Sequence, residues 1–148
     1  VQEIESDYKG NKGNKAMLPL HYKLCDVCTS DFAGAAEGKR NKRLVMAFRK
    51  RVDGLLTGIE ITALRKQYLL TQGQAARLFG GGPVAFAQHE NDDVVQSESM
   101  DNLLGLVRRS ADVFWLLVEE KAMTAVLTKH VTTKSTVRCA SLAATSTP

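Results

Sequence analysis

The chain has no run of about 18 apolar residues, the least that a membrane-crossing helix needs, so no such helix is expected. No signal-peptide pattern opens it. Its three cysteines, Cys25, Cys28 and Cys139, do not suggest a disulfide framework, and a cytoplasmic protein is the expectation. Its three histidines, His21, His89 and His130, sit in unrelated segments. No nucleophile stands with a base and an orienting third group, so an enzyme is not expected. There is no internal repeat. What is present is 148 residues with an ordinary apolar fraction, enough for one domain or two small ones around a real core. The formal net charge of +4 leans mildly toward polyanionic partners.

Four segments are expected: residues 1–34, 35–57, 58–123 and 124–148. In the first, "YKGNKGNK" has turn or hairpin chemistry, and "LPLHYKLCDVC" suggests a short strand running into a CxxC knuckle. Ala33 to Gly38 is expected to be a small-residue linker. Lys39 to Arg51 holds seven Lys or Arg and no acid, with Leu44, Val45, Phe48 and Val52 at helical spacing. That predicts a basic amphipathic helix, its charge either a solvated face or a contact for phosphates or an acidic partner. From Gly58 the apolar pattern is dense. Ile61, Leu64 and Tyr68 share a helical face. Thr71 and Gln74 form a capping box for a helix buried through Ala75, Leu78 and Phe79. Ser97 or Ser99 can cap a helix striped by Leu103, Leu104 and Val107. Ser110 can cap another striped by Val113, Phe114, Leu117 and Val118. After Met123 the periodicity fades, and a disordered tail is expected.

Between two of these helices lies "FGGGPVAF". A phosphate-cradling P-loop needs GxxxxGK[ST] after a strand. Here a helix precedes the glycines and no lysine follows them. A helix-turn-helix fits better, since glycines admit positive φ and a close approach of two short helices, and Pro83 suits the first turn of the second. On that second helix, Phe86, His89 and Glu90 fall on one side, with Phe86 as core anchor. Val84, Ala87, Gln88 and Asn91 fall on the other. A small, polar outer face suits a major groove: Gln88 can pair with adenine, and Val84 or Ala87 can touch a thymine methyl. Thr71 and Gln72 are placed to meet phosphates, and Gly82 belongs to the same candidate DNA-binding set. The alternative is a plain packing unit, with His89 at the edge of the core and Glu90 structural. Gly58 to Arg109 has five basic and six acidic residues, so phosphate contacts must be found elsewhere. Arg65, Lys66, Arg77 and the Lys39 to Arg51 helix are the candidates.

"LRKQYLLTQGQAARLFGGGPVAFAQHENDD" resembles the C-terminal domain of the MqsA-type (YgiT-like) antitoxins, within the wider Xre/Cro helix-turn-helix class. The pattern LTQ-x-x-A-x-x-x-FGGG-x-x-AF-x-x-x-E stands here as Leu70, Thr71, Gln72, Ala75, Phe79, Gly80 to Gly82, Ala85, Phe86 and Glu90. The likeness covers roughly Tyr8 to Val118. It implies a mainly α fold: a five-helix bundle preceded by a small β-containing, zinc-binding-like N-terminal domain. It also implies an antitoxin that binds a ribonuclease toxin through the N-terminal domain. Such proteins form homodimers and repress their own operon by binding operator DNA. A lone Xre-family regulator without a toxin is the alternative. The sequence departs from the family in two ways. The family zinc site uses two CxxC pairs, and only Cys25 and Cys28 are present. Either the first pair lies upstream of Val1, as the non-methionine start favours, or zinc has been lost. His21 is read as a loop histidine. A redox role for the lone pair lacks its βαβ context. The family's base-reading positions, often Asn and Arg, are Val84 and Gln88 here, so the operator is expected to differ. Phe114, Trp115 and Leu117 are the candidate dimer surface, with ordinary core packing the alternative.

Overall fold

The computed structural model describes residues 2–7 and 15–127. It is mainly helical, with a small strand region at the N-terminal side. Strand β1 (Gln2–Asp7) pairs antiparallel with β2 (Lys15–Leu20), in a register running from Gln2 opposite Leu20 to Asp7 opposite Lys15. The "KGNKGN" turn expected between them lies outside the described residues. On β2, Leu18 is buried between exposed Met17 and Pro19, the period of two that a strand imposes. A second hairpin joins β3 (Lys23–Leu24) to β4 (Asp31–Phe32) around the cysteine knuckle.

Helix α1 (Ala35–Asp53) begins at Ala35, so Ala35 to Gly38 of the expected linker are helical instead. Gly34 is the N-cap and Glu37 sits in the first turn, where a carboxylate meets the positive end of the helix. The helix stops at Gly54, whose φ of +76° is open to glycine, and Leu55 N–H then closes on the Lys50 carbonyl at 2.8 Å.

Four short helices build the next part of the chain. α2 (Gly58–Gln67) has a T-x-x-E box at its start: the Glu60 carboxylate accepts from both the N–H and the hydroxyl of Thr57, each at 3.0 Å. α3 (Gln72–Phe79) starts as the sequence predicts, with Thr71 Oγ1 accepting the Gln74 N–H at 3.2 Å and Gln74 returning a bond to the Thr71 N–H at 2.9 Å. α4 (Gly82–Glu90) follows the glycines, and α5 (Glu98–Arg109) is capped by Ser97, not Ser99. Ile61, Leu64, Leu70, Ala75, Leu78, Phe79, Phe86 and Leu104 are buried. Phe79 and Phe86 stack with ring centroids 6.1 Å apart, joining α3 to α4 across the turn.

The described chain divides into two compact units, one ending at Gly105 and the other beginning at Leu106. In the second, Ser110 caps α6 (Ala111–Glu120), which buries Phe114 and Val118. Helical bonding resumes after Met123, and Leu127 is buried, so ordered chain reaches past the expected start of the tail. The rest of that tail, with Cys139, lies outside the described residues.

Candidate nucleic-acid interface

Three consecutive glycines carry left-handed backbone at the junction of α3 and α4: φ is +93° at Gly80, +87° at Gly81 and +77° at Gly82. Side-chain-bearing residues are strained there, so the run is a conformational requirement of the turn. It turns α4 so that Phe86 is fully buried while Val84 is 74% exposed. Gln88 and Asn91 are also exposed, and Ala87 is half-buried. Residues 84, 87, 88 and 91 follow helical spacing on one face, opposite the Phe86 anchor.

The expected phosphate-contacting pair at the start of α3 is exposed. Its polar atoms are partly engaged: Thr71 in the cap, and Gln72 through Nε2, which donates to Glu90 Oε2 at 2.6 Å. Asn91 likewise donates its side-chain amide to the Ala87 carbonyl at 2.8 Å. Glu90 is structural, as anticipated. Besides Gln72 it takes Arg65 Nε at 2.5 Å, and Arg65 also donates to the Leu70 carbonyl at 3.0 Å. Arg65 therefore joins α2 to α4 through Nε and to Leu70 through Nη1.

Two cations of the basic helix are likewise engaged within the fold. Lys50 is fully buried, with Nζ 2.8 Å from Asp92 Oδ1. Arg43 forms a two-pronged pair with Asp93, Nε to Oδ1 at 2.8 Å and Nη2 to Oδ2 at 2.9 Å. That hydrogen bonding holds the Asp93 carboxyl below the usual carboxylate range and raises the Arg43 guanidinium. Lys39, Arg40, Lys42, Arg49, Arg51, Lys66 and Arg77 remain exposed. The adjacent acids Asp92 and Asp93, right after α4, were the available signal that α1 lends charge inward. Burial lowers the pKa of His89, which the Lys50 charge depresses further. Its Nδ1 is buried with no hydrogen-bond partner among the described residues, which fits a histidine at the edge of the core.

At the knuckle, Cys25 N–H bonds the Ser30 carbonyl and Thr29 N–H bonds the Cys25 carbonyl, both at 2.9 Å. Cys28 Sγ lies 3.2 Å from Ser30 Oγ, and hydrogen bonding of Cys28 to Ser30 lowers its thiol to about 7. A lowered thiol is what a metal-ligating cysteine needs. Yet among the described residues no group of three or more His, Cys, Asp or Glu is placed to hold a metal ion. The pair supplies half of a four-ligand site and closes none by itself. His21 lies in the loop after β2, held by its backbone.

Two short helices, joined by left-handed glycines and stapled by stacked phenylalanines, with Val84, Gln88 and Asn91 turned outward, make a helix-turn-helix unit. The chain belongs to the family described as the antitoxin component of bacterial toxin-antitoxin systems, MqsA, which matches residues 1–119. It is 26% identical over 114 residues to "Antitoxin MqsA" of Escherichia coli (strain K12), a match covering 76% of this chain and 86% of that protein. Among the described residues no helix is long and apolar enough to cross a membrane.

Proposed function

We propose that this antitoxin neutralises a cognate ribonuclease toxin and represses its own operon by binding operator DNA as a homodimer. The DNA-binding part rests on one observation: α4 buries Phe86 completely and leaves Val84, Gln88 and Asn91 exposed on the opposite face. That face has the size and polarity to enter a major groove, with Gln88 offering an amide to adenine N6 and N7. Lys66, Arg77 and the exposed bases of α1 supply the phosphate contacts that dominate affinity. Thr71 and Gln72 orient the unit on the backbone. The protein acts in the cytoplasm and as a binder, without catalysis of its own. In α6, Phe114 is only 2% exposed and so is core. Trp115 and Leu116 are exposed, and with Leu117 they form the proposed dimer contact.

The toxin-binding part rests on family membership, with the hairpin region around Cys25 and Cys28 as the contacting unit. A zinc ion held there would need two ligands beyond these cysteines. The test is fluorescence anisotropy of the full chain against DNA from upstream of its own gene, with a scrambled duplex beside it, titrated across salt. A large preference for the upstream duplex supports the reading. Equal and steeply salt-dependent binding to both overturns base reading and leaves only charge.

A further inference from the structure

Helix α1 carries charge on its packed face, and much of that charge meets α4 or the turn after it. Lys50 Nζ lies 2.8 Å from Asp92 Oδ1 and donates to the His89 carbonyl at 3.2 Å, with the whole side chain buried. Asp92 is buried too and has a φ of +57°, where glycine would be easier. Its Oδ1 also accepts the Gly58 N–H at 2.8 Å, so one carboxylate joins α1, the start of α2 and the end of α4. Seven residues before Lys50, on the same side of α1, Arg43 grips Asp93. Two residues before Arg43, the Asn41 side chain accepts the His21 N–H at 2.7 Å and donates to the His21 carbonyl at 2.8 Å. Lys23 reaches Glu37 at 3.5 Å. Separate polar contacts thus tie α1 to His21 and Lys23 beside the cysteine hairpin and to the end of α4.

We propose that Asp92 is a positioning residue which, through Lys50 and with Arg43–Asp93 as a second clasp, locks α1 to α4. The cysteine hairpin and the outward face of α4 then turn as one body. A buried lysine parted from its carboxylate is strongly unfavourable, so α1 has one docked position rather than a range of them. A partner that grips the hairpin meets the α4 face at a set angle, and swinging α1 away requires both clasps to break. The bearing on operator reading rests on the function proposed above. The test contains no DNA, so the two readings fail separately.

The test is 15N relaxation of the full chain. In the wild type, the amides of α1 and of α2 to α4 are expected to share one rotational correlation time. In Lys50→Met/Arg43→Gln, the α1 amides are expected to depart to a shorter effective time while α2 to α4 keep a common one. A single shared time in that variant overturns the proposal, as does an α1 already separate in the wild type. If the variant loses the fold of α2 to α4, Asp92→Asn/Arg43→Gln is read instead by amide exchange. Asparagine keeps an oxygen for the Gly58 N–H but removes the charge facing Lys50. Exchange in α1 that rises about tenfold or more while α2 to α4 stay protected supports the lock. An equal rise in all four helices overturns it.

Discussion

Gly58, the first residue of α2, lies against the last residue of α4: a Cβ built on Gly58 would fall 2.2 Å from the Glu90 carbonyl oxygen. The same Cβ would lie 2.9 Å from Asp92 Oδ2. Both obstacles are held, one by the helix backbone and the other by Lys50 and the Gly58 N–H itself. Gly58→Ala must therefore push α2 and α4 apart. The expected loss is about 1–3 kcal/mol, the usual effect of overpacking. Urea unfolding gives the check, and a midpoint equal to wild type would mean that the two helices do not meet this closely.

Phe86 anchors α4 with its ring fully buried and stacked on Phe79. Phe86→Ala leaves a cavity and is expected to cost about 3–5 kcal/mol. Thermal unfolding by circular dichroism reads it directly, and an unchanged melting temperature would remove Phe86 from the core.

What could be read in advance divides along sequence distance. The Thr71 box, the glycine turn, the Phe86 anchor and the caps at Ser97 and Ser110 are signals contained within a few residues, and the structure has them where they were expected. The start of α1 was hidden because Ala35, Ala36 and Gly38 look as much like linker as helix. The Thr57 box is also local, but Thr57 stands one residue before the dense apolar pattern that opens at Gly58. The committed charges were out of reach for a different reason. Arg43 and Asp93 are 50 residues apart: the adjacent acids Asp92 and Asp93 signal that cations are drawn in, but not which ones. Exposed cations and paired cations are alike in composition, so the phosphate-contacting set could be narrowed only after the fold had brought α1 beside Asp92 and Asp93.

Acid is expected to weaken the fold in two windows, with the same sign. Burial depresses the His89 pKa, so the folded protein holds it neutral where the unfolded chain, with an ordinary value near 6.5, takes up a proton. Between the folded value and 6.5 the unfolded state binds more protons, so stability falls as pH drops through that range. Asp93 is likewise depressed from 3.8 by its bonds to Arg43, and its stabilisation is complete above 3.8 and lost as pH falls through the lowered value. Melting temperatures from pH 7.5 down to 5 isolate the histidine window. His89→Gln is expected to flatten the decline relative to wild type, and parallel curves for the two proteins would assign the decline to other groups.

Gln88 tests base reading by α4 most directly. Its side chain is exposed one residue before His89, on the face away from Phe86, and removing it leaves the core untouched. If it pairs bidentately with adenine, Gln88→Ala is expected to cost about 1–3 kcal/mol on the preferred duplex and to relax preference at one base position. The salt dependence is expected to stay as it is, because Gln88 releases no counterion from a phosphate. Arg77→Ala serves as the contrast: affinity is expected to fall evenly across duplexes, with a shallower salt slope. Anisotropy against a panel of single-base variants separates the two patterns. An even loss for Gln88→Ala would show that the exposed face of α4 contacts DNA without reading it, and specificity would then have to come from the shape of the duplex.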